Sequence, residues 1–116
     1  MATLRALLLL GLLLSPAQAQ QLLPPFLTMP PVEYDHPYDG ELILRREDEP
    51  TVRKRCLHQM IPGNVALACS QRWSIENKCQ VWIVTDDVIA LHAEPRGWTY
   101  EMILRHELGH CNGWRH

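Results

Sequence analysis

The C-terminal stretch holds two histidines four residues apart with a glutamate between them, then a glycine three residues on and a third histidine six residues on. It reads His106-Glu107-Leu108-Gly109-His110-Cys111-Asn112-Gly113-Trp114-Arg115-His116. On a helix of 3.6 residues per turn, positions four apart lie about 40° apart around the axis, so His106 and His110 share a face. Glu107 lies about 100° from His106 and about 60° from His110. Gly113 suits the left-handed conformation just past a helix end, where glycine meets no steric penalty, and a turn there can bring His116 back to the same face. Upstream, Thr99 reads as an N-cap, Glu101 places a negative charge in the first turn, and Trp98 can staple onto Ile103. Leu104, Leu108 and Cys111 then form the expected core side of the helix.

The same residues are a metal-binding set. Neutral imidazole is a good zinc ligand, and a catalytic zinc usually takes three protein ligands, leaving a fourth position for water. Glu107 is placed to act as a base for that water without being a ligand. The two-histidine helix pattern is a modest signal on its own, but requiring glycine and histidine at two further offsets cuts chance matches roughly several hundred-fold. The run resembles the zinc-binding motif of the metzincin metallopeptidases. The resemblance implies Zn2+ held by His106, His110 and His116, with Glu107 as the catalytic general base. It covers eleven of 116 residues. Metzincins continue from the third histidine to a methionine-containing turn, and Met29, Met60 and Met102 all precede that position, so none is carried over.

The expected activity is that of a zinc metallopeptidase: water activated at the metal attacks a peptide bond, and Glu107 carries the proton to the leaving amine. The expected partner is a peptide or protein substrate. The competing expectations are a non-catalytic secreted zinc-binding module, including one whose cleft a partner protein completes, and an interaction domain without metal. If His116 does not reach the metal, His92, Asp87 and His58 are the substitutes to consider. Asp86, Asp87 and Glu94 are the carboxylates available to orient the imidazoles.

At the other end, Arg5, the apolar run from Ala6 to Leu14, the Ser15-Pro16 break and Ala17-Gln18-Ala19 form a signal-peptide pattern for residues 1–19. The apolar run is well short of the roughly 20 residues that span a bilayer, so the expectation is a secreted or periplasmic protein with no membrane association after cleavage. Removing nineteen of 116 residues leaves 97, enough for one small domain. Without Arg5, ten basic residues face thirteen acidic ones, and nothing points to nucleic acid. Arg45-Arg46 and Arg53-Lys54-Arg55 read as solvated surface, with Glu47, Asp48 and Glu49 between them.

Cys56, Cys69, Cys79 and Cys111 are an even number in a small exported domain, which favours two disulfides. Such a small core needs staples. Three connectivities are open. The short intervening loop leans toward Cys69 with Cys79, leaving Cys56 with Cys111.

Residues 20–40 contain Pro24, Pro25, Pro30, Pro31 and Pro37 and read as an extended arm. Residues 41–116 form the zincin-like domain. Within it, Glu41 to Arg46, Val65 to Cys69 and Gln80 to Val84 read as strands. Ser70 to Lys78 reads as a polar connection and Val88 to Leu91 as ambiguous. The strand around Val81 to Asp87 is a candidate to pair with an extended peptide. The expected fold class is α+β: a small disulfide-stapled domain in which a short β-sheet packs on one main C-terminal metal-site helix. Among the tryptophans, Trp114 lies between two expected ligands and is the best candidate for a pocket wall.

Overall fold

A computed structural model of the chain describes residues 28–57 and 64–116. The signal-peptide reading, the first part of the arm and His58 lie outside the described residues.

Three strands, β1 (Glu41–Glu47), β2 (Ala68–Trp73) and β3 (Lys78–Val84), form a sheet in the order β1-β3-β2. β1 runs parallel to β3, and β2 runs antiparallel to it. β3 is therefore central, and its alternation of Cys79, Val81 and Ile83 with Gln80 and Trp82 divides the sheet into two faces. Cys79, Val81 and Ile83 are fully buried. The helices are α1 (Glu49–Arg55), the short α2 (Asp86–Val88), and α3 (Tyr100–Cys111). A π-helical turn over Ile89–Ala93 and a 3-10 turn over Glu94–Arg96 carry the chain from α2 toward α3. The result is the expected small α+β domain with a C-terminal helix and two disulfides.

The disulfides differ from the expected pairs. Cys56 joins Cys69, and Cys79 joins Cys111. Sheet register explains the difference. Cys69 lies opposite Trp82 and Cys79 opposite Arg72, so the two cysteines sit three rungs apart, on opposite faces of the hairpin. Nearness in sequence could not join them. Each bond instead fastens one helix end to one face: α1 through its C-cap, Cys56, and α3 through its last residue, Cys111. The loops they close span 13 and 32 residues. Chain-entropy arguments put their contributions at about 3 and about 3.5 kcal/mol. Disulfides of this kind suit an oxidising compartment. Among the described residues, no helix is long and apolar enough to cross a membrane.

Two elements depart from the sequence reading. β2 starts at Ala68 and runs to Trp73, so Ser70 to Trp73 of the expected polar connection is strand, and a four-residue turn with Asn77 at φ 48° closes the hairpin. Helix α1 was not anticipated, although its signals are present: Asp48 accepts a hydrogen bond from Thr51 N at 3.0 Å and Pro50 sits in the first turn. The central position of β3 also removes it as a peptide-pairing strand, since both of its edges are already used. The edge nearest α3 belongs to β2.

Helix α3 starts as expected, with Thr99 Oγ1 accepting from Met102 N at 3.3 Å. Its buried stripe, however, is Ile103, Glu107 and Cys111, flanked by His106 and Gly109. Leu104 and Leu108 are only half-buried. The helix is rotated relative to the expectation because Cys111 must meet Cys79 and Glu107 packs toward Ser70 on the same sheet face. Arg46, on that face of β1, lies over the Tyr100 ring at 4.2 Å and donates to Val84 O, tying the start of α3 to the sheet.

Candidate metal centre

The end of α3 is a Schellman turn. Gly113 N donates to His110 O and Trp114 N to Gly109 O, both at 3.0 Å, with Gly113 at φ 105°. The reversal brings His116 against the helix that precedes it. The Nε2 atoms of His106, His110 and His116 form a triangle with edges of 3.1, 3.2 and 3.3 Å. Imidazole nitrogens bound about 2.05 Å from one tetrahedral metal ion stand about 3.3 Å apart, so the triangle has the size such an ion requires. The cluster could hold a metal ion. Among the described residues, His92 and Asp87 do not join it.

The other ring nitrogens show which tautomer the rings adopt. His106 Nδ1 donates to Thr28 O at 2.5 Å, and His110 Nδ1 donates to Trp114 O at 2.7 Å. A carbonyl oxygen can only accept, so the proton sits on Nδ1 in both rings, and the Nε2 lone pairs point at each other's neighbourhood. This is the arrangement that orients metal-ligating histidines. Burial holds the His106 pKa down at about 4, with the nearby His110 and His116 charges acting in the same direction. Burial also lowers that of His110. Both rings are therefore ready to ligate at neutral pH without first losing a proton.

Of the three carboxylates expected in this orienting role, Asp86 and Asp87 are engaged elsewhere, and Glu94, in the 3-10 turn, makes no hydrogen bond to a histidine among the described residues. Asp86 pairs with Arg46 at 2.6 Å, and Asp87 is held by hydrogen bonds at the start of α2. The carbonyls of Thr28 and Trp114 orient the rings instead, and a backbone carbonyl carries no sequence signature.

Residues 28–37 of the arm lie along α3. Asn112 Nδ2 donates to Tyr34 O at 2.9 Å and to His36 O at 2.7 Å, and Asp35 pairs with Arg105. A side chain at Gly109 would place its Cβ 2.7 Å from Pro30, so the glycine permits the arm's approach. Thr28 reaches His106 because of these contacts.

Trp114 packs against all three histidine rings. Its indole stacks on the His110 ring at 4.8 Å and 9°, and stands edge-on to His106 at 5.0 Å. It also lines the adjoining cavity of about 640 Å³, together with Glu107, Ser70, Trp98 and the three histidines. Trp73 and Trp82 belong to the face of the sheet opposite α3.

Glu107 is 6 % exposed. Burial pushes its carboxyl up to about 7 against an opposing hydrogen bond with Ser70, and its Oε2 has no hydrogen-bond partner. Glu107 lines the same cavity as the three imidazoles, with its unpartnered Oε2 buried from solvent. Ser70, Arg72, Arg115 and Thr28 belong to this neighbourhood and were not singled out from the sequence, because only register and the turn bring them here.

Compared with protein-family models, with curated proteins and with solved structures, the chain matches none. The resemblance to metzincins rests on residues 106–116 alone.

Proposed function

We propose that the protein is a secreted zinc-dependent metallopeptidase whose metal ligands are His106, His110 and His116. The observation that carries this reading is the Nε2 triangle of 3.1 to 3.3 Å with Glu107, whose buried Oε2 has no hydrogen-bond partner, lining the same cavity. Imidazole donors and a three-ligand site suit zinc. Zinc, when bound, supplies a Lewis acid that lowers the pKa of a coordinated water toward about 7. Glu107 takes the proton of the attacking water and returns it to the leaving amine, a role open to a carboxyl that is not itself a ligand and has one oxygen unpartnered. Thr28 O and Trp114 O keep the two helical imidazoles oriented throughout. Trp114 screens one side of the reacting groups from solvent, and the free edge of β2 offers backbone groups to an extended peptide.

The same histidines would serve a non-catalytic zinc-binding module, and the engagement of Glu107 by Ser70 favours that second reading. The deciding experiment measures zinc per chain in the oxidised protein and in Glu107→Gln, then follows cleavage of a peptide mixture by mass spectrometry. One zinc in each and cleavage only by the wild type is expected. Zinc without cleavage by the wild type leaves the binding module.

A further inference from the structure

We propose that the cleft selects peptides carrying a carboxylate, gripped by Arg72 and Arg115 on one side of the histidines, with an apolar residue lodged on the other. This rests on the peptide-cleft reading above and names its substrate class.

The cavity lining includes the apolar Val65, Leu67, Trp98 and Ile103 and the cationic Arg72 and Arg115, with the histidines and Glu107. We infer from the course of β2 and α3 that the two sets lie toward opposite ends. The order follows from the fold. Ala68, Ser70 and Arg72 share the sheet face that meets α3, and the span from Ala68 to Arg72 is about 13 Å at about 3.3 Å per residue. Ser70 meets Glu107. Arg72 lies at the Gly113 turn, its guanidinium 3.1 Å from where a Gly113 Cβ would be. That turn carries Arg115 and His116.

Both guanidiniums are open to a ligand. Arg46, Arg53 and Arg105 each hold a carboxylate, but Arg72 and Arg115 make no ion pair or hydrogen bond among the described residues. Among the described residues that line the cavity, Glu107 carries the one acidic side chain, and it is buried and engaged by Ser70. No other acidic side chain among them competes for the two cations. A guanidinium fork matches a carboxylate geometrically, so an acidic side chain or a free peptide C-terminus is the complementary group.

The test uses the zinc-loaded full chain with Glu107→Gln, so that peptide is not consumed, and fluorescein-labelled amidated peptides of alanine and leucine carrying a single glutamate or, in the matched control, glutamine. Anisotropy is expected to show the glutamate peptide binding on the order of ten-fold more tightly. That ratio should fall toward one in Arg72→Ala combined with Arg115→Ala, persist in part in Arg72→Lys, and decline with added NaCl. A free C-terminal carboxylate on the glutamine peptide distinguishes the two carboxylate sources. Equal binding of the two peptides, no binding of either, or a preference that survives the double alanine variant would overturn the proposal. Preference in binding without cleavage by the wild type removes the peptidase reading alone, and cleavage without preference removes this one alone.

Discussion

The imidazole of His110 lies flat on the indole of Trp114 and gives its Nδ1 proton to the carbonyl of the same tryptophan at 2.7 Å. One residue thus fixes the ring's plane and its tautomer together. The contact exists because the Schellman turn folds Trp114 back over the last turn of α3, so the candidate metal centre depends on the residue that permits the turn.

Gly113→Ala tests that dependence. At φ 105° a Cβ is strained, and it would also press on Arg72 at 3.1 Å. The expected loss is about 1 to 2 kcal/mol of stability, read from the urea midpoint, with a larger relative fall in zinc affinity because His116 and Trp114 both follow the turn. Unchanged zinc affinity would show that the turn does not position the third histidine.

The arm is expected to act on metal affinity through His106. Gly109→Ala gains helix propensity of about 1 kcal/mol, but its Cβ meets the Pro30 ring at 2.7 Å, and a proline ring in a docked segment cannot swing away as a flexible side chain can. The arm must lift, and Thr28 O leaves His106 Nδ1. Loss of such an orienting partner typically costs 10- to 100-fold in metal affinity, roughly the fall expected by competition with a zinc indicator. Asp35→Ala removes only an exposed pair and should cost far less.

Two buried groups should give opposite pH dependences in metal-free protein. The Glu107 pKa is raised from 4.5 to about 7, so its contribution is fully present below pH 4.5 and lost as pH rises through about 7. The His106 pKa is lowered from 6.5 to about 4, so its contribution is present above pH 6.5 and lost as pH falls through about 4. Between about pH 4.5 and 6.5 the two slopes oppose each other. Relative to wild type, Glu107→Gln should therefore gain stability with rising pH across 4.5 to 7, by a few kcal/mol in order of magnitude. His106→Gln should show its relative gain as pH falls from 6.5 to 4. Urea titrations in chelator at several pH values check both signs.

Peptide mapping without reduction should recover Cys56 linked to Cys69 and Cys79 linked to Cys111. Replacing both Cys79 and Cys111 by serine should cost about 3 to 4 kcal/mol and loosen the end of α3, lowering zinc affinity as well. The Cys56, Cys69 bond fastens α1 rather than α3, and its removal should cost about 3 kcal/mol with a smaller effect on zinc than loss of the Cys79, Cys111 bond.

The sequence determined what depends on neighbours along the chain. The 3.6-residue period puts His106 and His110 on one face, Thr99 caps α3, Gly113 permits the reversal, and the β-branched run marks β3. Even α1 has its local signals in Asp48 and Pro50. Tertiary structure decided what depends on register and on packing between distant segments. Which cysteines meet follows from the face each occupies in the hairpin. The burial of Glu107 follows from the rotation of α3 that the Cys79 bond and Ser70 impose. The orienting carbonyl of Thr28 comes from a segment 78 residues away. Backbone carbonyls are the same in every residue, and sheet faces invert with a single step of register, so neither can be read from side-chain identities until the strands are paired and the arm is docked.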